Sequence, residues 1–240
     1  MLKLVGFDAD DTLWHSEGFF RTVHDEFECI LGKYLDLSNA NVHDGLLEVE
    51  RRNIKLFGYG AKGMTLSMLE TAIALTQEKI SAKHLHDIIN LGKEVLMHPV
   101  QLIDGIEKAV AEVAKEYQIV LITKGDLFHQ ESKVAKSGLS ELFGRIEIVS
   151  EKDPSTYQRV LSEFGLSAQQ FLMVGNSLRS DIAPVLKIGG YAVHIPYPIT
   201  WALEMDDTFV ADDNKMCSVK SAAQIPAAVQ QLALKAARLH

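Results

Sequence analysis

The chain has 240 residues, of which 47% are hydrophobic and 23% charged, a usage that supports a sizeable buried core and argues against disorder. Its formal net charge of -8, from 32 acidic and 24 basic residues, argues against non-specific binding to nucleic acid or to an anionic membrane surface. Two cysteines, Cys29 and Cys217, lie far apart and outside any CxxC pattern, so neither a disulfide framework nor a structural zinc site is expected, as suits a reducing compartment.

Residues 2–7 form a short apolar run that meets an acidic cluster at Asp8. The run is too short for a signal peptide or a membrane span and fits a buried strand. A cytoplasmic protein is therefore expected. From 13 to about 99 strand signals are few and apolar residues recur at helical spacing, as in Phe19, Phe20, Val23, Phe27, Ile30 and Leu31. Further helices are read over 46–56, 64–75 and 85–97, separated by Gly58, Gly60 and Gly63 and by polar breaks at Asp36, Ser38 and Ser81. From Pro99 the pattern alternates. Helices are predicted over 105–116, 127–136 (stopped by Gly138), 154–164, 181–188 (stopped by Gly189 and Gly190) and 225–238. Strands are predicted over 118–122, 146–149, 171–174, 191–195 and 208–210. The expected fold class is α/β, a doubly wound parallel sheet with an inserted all-helical domain. The predicted boundaries place 1–14 and 99–240 in the Rossmann-like core and 15–98 in the insertion.

Ligands of such sheets bind outside the carboxyl ends of the strands. Asp8 with Asp10, Thr123, Lys152, and the stretch from Gly175 to Asp181 all fall at such ends or just beyond them. Two carboxylates two residues apart can divide labour: one attacks phosphorus as a nucleophile, and the other gives a proton to the leaving oxygen and later takes one from water. A cation must then neutralise the charge between carboxylate and phosphate, and oxygen ligands of this kind suit Mg2+. On these residues alone an acidic turn after a strand fits equally well. Taken alone, Thr123 is better explained by β propensity and Lys152 by a solvated surface, and Lys124, next to Thr123, rivals Lys152.

FDADDTL resembles the first motif of the haloacid dehalogenase superfamily, an apolar strand followed by DxDxT. The resemblance implies that Asp8 is the nucleophile and Asp10 the acid/base, with the Asp10 carbonyl facing the metal and Thr12 supporting the loop. ITKGD is similar to the second motif and implies that Thr123 binds phosphate; SEKDP implies the same for Lys152. MVGNSLRSD resembles the fourth motif, with Asp181 matching its last acid and Asn176 replacing its first. The implied Mg2+ ligands are Asp8, Asp10, Asn176 and Asp181. The insertion between the first and second motifs is similar to a helical C1-type cap.

Within that superfamily Asp10 favours a phosphatase, because an alkoxide leaving group needs a proton and a halide does not. The expectation is a Mg2+-dependent hydrolase of a small phosphate monoester, working through an aspartyl-phosphate. A metal-independent dehalogenase and a non-catalytic phosphate-binding or regulatory protein are the alternatives. The expected partner is a small phosphorylated metabolite, with no nucleic acid and no membrane, on a monomer or homodimer. Arg51, Tyr59 and Lys62 are candidate substrate contacts, although a solvated helix surface and turn explain each of them as well. Trp14 reads as packing, and His15 as either packing or function. The remaining histidines show no HxxH or HExxH spacing.

Overall fold

The computed structural model describes residues 1–206 and 208–238. The chain divides into two compact units: Met1–Glu17 with Val100–Lys124 and everything from Gln130 onward, and Gly18–Pro99 with Gly125–His129. The second unit is the helical insertion. It also takes in the turn after β2 (Gln118–Lys124), which the sequence boundaries do not assign to it. Asp126 explains that membership, because it pairs with Lys62 at 3.0 Å.

In the helical unit, α1 (Glu17–Leu31), α2 (Val42–Phe57), α3 (Ala61–Leu75) and α4 (Ala82–Met97) enclose their own core, which includes Phe27, Leu31, Leu46, Met68 and Ile88. The polar breaks in the sequence act as caps. The Asn41 side chain accepts from Asp44 N at 3.0 Å, and Ser81 Oγ accepts from His84 N at 3.2 Å. None of the described helices is long and apolar enough to cross a membrane.

In the other unit, β1 (Leu4–Phe7), β2, β3 (Arg145–Val149), β4 (Phe171–Gly175), β5 (Tyr191–His194) and β6 (Met216–Ser218) pair in parallel, in the order β3-β2-β1-β4-β5-β6. The side-chain period of two sends alternate residues to opposite layers. Val5, Phe7, Ile119, Leu121, Leu172 and Val174 pack with α5 (Ile106–Ala114) and α9 (Ile225–Arg238). Leu4, Val120, Ile122, Phe171 and Met173 pack with α7 (Pro154–Glu163) and with Val185 of α8 (Ala183–Ile188). Strands buried on both faces read as continuous apolar runs, which is why the sequence shows them so clearly. α6 (Leu127–Ser137) ends at Gly138, whose φ of 74° is easy only for glycine.

One predicted strand is wrong. Residues 208–210 form no strand, and the place beside β5 belongs to β6. Asp206 Oδ1 accepts from Thr208 N and Thr208 Oγ1 at 3.0 and 2.7 Å, closing a turn, and Val210 is exposed. The helix predicted from 181 also starts earlier, as a π-helical turn over Leu178–Ile182 that leads into α8.

In this strand order the chain leaves β1 to one side through β2 and to the other through β4. The crevice of the fold therefore lies at the carboxyl ends of β1 and β4.

Candidate active site

Asp8 follows β1 and extends its ladder, donating its N–H to Val174 O at 2.9 Å. Its carboxylate is buried. Oδ1 accepts from Lys152 Nζ, and Oδ2 accepts from Thr12 Oγ1 at 3.0 Å. Lys152 lies in the turn between β3 and α7, and its Nζ also donates to Asp181 Oδ1 at 2.7 Å. Lys152 and Asp181 are 4% and 1% exposed, so one buried ammonium bridges two buried carboxylates. Burial, and then the Asp181 carboxylate, push Asp8 up to about 7 against the opposing pull of Lys152. Burial works to lower Lys152, but Asp181 and Asp8 outweigh it and raise its pKa. With all three ionised the cluster carries one net negative charge.

The loop after β4 is fixed at both ends of Asn176. Its N–H donates to Thr12 Oγ1 at 3.0 Å, and its carbonyl accepts from His194 Nε2 at 3.0 Å, which makes Nε2 the protonated nitrogen. Asn176 Oδ1 lies 3.3 Å from Thr12 Oγ1. Asp181 Oδ2 accepts from Ser177 N at 3.0 Å, so the loop folds around its own acid. The helix cap is Ser177, whose Oγ accepts from Ser180 N at 3.0 Å. Ser180 sits inside the first turn, where its hydroxyl donates to Glu204 Oε2 at 2.5 Å.

Glu204 is a component the sequence does not flag. Its carboxylate also accepts from Ser177 Oγ at 2.5 Å and from Lys124 Nζ, and Lys124 Nζ donates to Ser180 Oγ at 2.9 Å. Burial opposes ionisation of Glu204, yet Lys124 and the two serines hold its carboxyl below the usual range. Lys124, the rival of Lys152, thus belongs to this brace around the loop, whereas Lys152 is the lysine hydrogen-bonded to Asp8.

Asp10 has a separate set of partners. Trp14 Nε1 donates to Oδ1 at 2.6 Å, Gln130 Nε2 to Oδ2 at 2.8 Å, and Lys133 Nζ to both oxygens at 2.6 and 2.8 Å. Burial would raise Asp10, but Lys133 first, then Gln130 and Trp14, hold it below the ordinary carboxylate range. The next residue, Asp11, turns the chain at φ 61° and accepts from the backbone N–H groups of Ser16 and Glu17 at 2.8 and 3.1 Å. Trp14 is therefore both a core residue and a hydrogen-bond donor.

Thr123 lies buried near the end of β2, and no side-chain hydrogen bond joins it to a described residue. Of the expected metal ligands, Asp8, Asn176 and Asp181 meet through Thr12 and Lys152, while the Asp10 carboxylate does not join that network. Among the described residues no three His, Cys, Asp or Glu side chains form a metal-holding group. Any cation here would use the two carboxylates together with amide and backbone oxygens. The other three candidates belong to the helical unit. Arg51 is exposed on α2, Tyr59 is half-buried between α2 and α3, and Lys62 is held by Asp126 with its ammonium 5.1 Å from the centre of the Phe128 ring.

Residues 2–189 match the model of the haloacid dehalogenase-like hydrolase family. The crystal structure of a haloacid dehalogenase-like family hydrolase from Xanthomonas campestris is 53% identical, with a TM-score of 0.89 over 100% of this chain and 95% of that one. Mouse N-acylneuraminate-9-phosphatase is 24% identical over 197 residues, 78% of this chain and 79% of its own. L-2-haloacid dehalogenase from Xanthobacter autotrophicus shares the fold, with a TM-score of 0.61 at 15% identity over 96% of this chain and 99% of that one. A doubly wound sheet, a helical insertion and an Asp-Lys-Asp cluster at the crevice thus coincide with a family match over most of the chain, which belongs to the haloacid dehalogenase-like hydrolases.

Proposed function

We propose that this chain is a cytoplasmic, Mg2+-dependent phosphatase that hydrolyses a small phosphate monoester through an aspartyl-phosphate on Asp8. The observation that carries the reading is the presence of two carboxylates with different partners two residues apart. Asp8 is bound to Lys152 and Thr12, and Asp10 to Lys133, Gln130 and Trp14. A nucleophile and a proton carrier need such different surroundings. A dehalogenase has no use for the second group. The phosphatase relative from mouse supports a phosphorylated substrate, as does glyceraldehyde 3-phosphate phosphatase from Pyrococcus furiosus, 26% identical over 116 residues, 46% of this chain and 48% of its own.

An Asp8 oxygen attacks phosphorus as the bond to the leaving oxygen breaks, and Asp10 protonates that oxygen. Asp10 then takes a proton from the water that hydrolyses the aspartyl-phosphate. Lys152 and Thr123 stabilise the phosphoryl oxygens, whose charge is the main thing a phosphoryl-transfer site must manage. Asp8, the Asp10 carbonyl, Asn176 and Asp181 would hold Mg2+ through oxygen donors alone, which suits that ion. When bound, Mg2+ supplies charge neutralisation between the carboxylate and the phosphate. Arg51, Tyr59 and Lys62 are our candidates for substrate selection.

The test is hydrolysis of para-nitrophenyl phosphate by the wild type and by Asp8→Asn, each with Mg2+ and with EDTA. Activity that requires both Mg2+ and Asp8 supports the proposal. Activity that ignores EDTA and survives Asp8→Asn overturns it.

A further inference from the structure

Lys133 matches none of the family motifs in the sequence, yet its ammonium contacts both oxygens of Asp10. With Gln130 and Trp14 it delivers four hydrogen bonds to one carboxylate. Gln130 and Lys133 lie three residues apart on α6, so one face of the helix presents both. Each residue is over nine-tenths buried, although lysine is rarely buried unless paired.

A purely structural role would be to fasten α6 to the loop after β1. That loop is already fixed by its backbone. Leu13 N donates to Ala9 O at 2.7 Å, Ile103 N to Leu13 O at 2.9 Å, and His15 N to Gln101 O at 3.0 Å. What Lys133 and Gln130 add is a fixed plane and direction for the Asp10 carboxyl. Proton transfer needs that group within hydrogen-bond reach of the leaving oxygen, and misplacement by about 1 Å can cost about 10²-fold.

We propose that Lys133, assisted by Gln130, is a positioning residue that aims the Asp10 carboxyl at the leaving oxygen of the substrate. The inference rests on the phosphatase reading above. Lys133 keeps its protons throughout. In the first step Asp10, which has to be protonated in the substrate complex against the pull of Lys133, gives its proton to the alcohol as the Asp8–phosphorus bond forms and the phosphorus–oxygen bond to the alcohol breaks. In the second, water adds to phosphorus, Asp8 is released, and the water proton returns to Asp10.

The experiment compares kcat/KM for para-nitrophenyl phosphate and phenyl phosphate, which are similar in shape but differ in how much their leaving groups need a proton. kcat/KM covers only the steps up to alcohol release. The proteins are wild type, Asp10→Asn, Lys133→Met and Lys133→Arg, with folding checked by circular dichroism. Lys133→Met is expected to lose about 10²-fold on phenyl phosphate but less than about 10-fold on para-nitrophenyl phosphate, with Lys133→Arg recovering part of the loss. If Lys133→Met does not fold, Gln130→Leu carries the test, with a several-fold excess loss on phenyl phosphate. A split in Asp10→Asn without one in the Lys133 or Gln130 variant overturns the inference and leaves the phosphatase reading intact. The absence of a split in Asp10→Asn removes Asp10 as the acid, and the inference falls with it.

Discussion

Thr12 Oγ1 accepts the Asn176 N–H at 3.0 Å and donates to Asp8 Oδ2 at 3.0 Å, so one hydroxyl joins the loop after β1 to the loop after β4. Thr12 is fully buried. Thr12→Val keeps the shape but takes the acceptor from the half-buried Asn176 N–H, at a cost of up to about 1–3 kcal/mol. The expected result is a lower melting temperature, by about 2–4 °C per kcal/mol for a chain of this size, together with lost activity. Thr12→Ser restores both. Thermal unfolding that is identical in wild type and Thr12→Val would show that this bond contributes nothing.

Gly175 has no room for a side chain. A Cβ there would lie 2.3 Å from both Cγ and Oδ2 of Asp181. Gly175→Ala must displace Asp181 from its present position, with an overpacking cost of about 1–3 kcal/mol. Activity on para-nitrophenyl phosphate is expected to fall about 10²-fold, the usual scale for a misplaced catalytic group. Wild-type turnover in this variant would show that the position of Asp181 does not matter.

His24 in α1 is largely buried, and its Nε2 has no hydrogen-bond partner; Glu50 Oε1, at 3.9 Å, is beyond hydrogen-bond range. Burial first, then His43, push its pKa down to about 4 from 6.5. The unfolded chain therefore binds a proton between pH 6.5 and about 4 that the folded chain refuses. Stability contributed by neutral His24 is present above pH 6.5 and is lost as pH falls through that window. Between pH 7 and pH 5 the loss is about 2 kcal/mol. Urea midpoints at the two pH values measure it, and His24→Leu should remove most of the His24-dependent difference. An undiminished difference in the variant would place the pH sensitivity elsewhere.

The fold was largely legible because doubly buried strands are written as unbroken apolar runs: residues 2–7 contain β1, and 171–174 contain most of β4. The strand predicted over 208–210 failed because an Asp206 side chain closes a turn there, a local interaction that hydrophobicity does not record. β6 was missed for a related reason. Its three residues are too few to show a period, and only pairing with β5 defines them.

The site divides in the same way. Asp8, Asp10, Lys152 and Asp181 were picked out by their likeness to the family motifs, added to their places at or just beyond predicted strand ends. Taken alone, the two lysines at strand ends could not be told apart, and the likeness to the family pattern chose Lys152. Tertiary structure did so by giving Lys124 to Glu204 and Lys152 to Asp8. Lys133 and Gln130 carried a weak signal, two polar residues at helical spacing after β2, and Glu204 carried none. By itself the sequence determined which segments are buried and which acids terminate them, because burial and reactivity are properties of residue types along the chain. Which ammonium faces which carboxylate was decided only by the packing of segments remote in sequence, because ion pairs act over a few ångströms of space and leave no periodic trace in the order of residues.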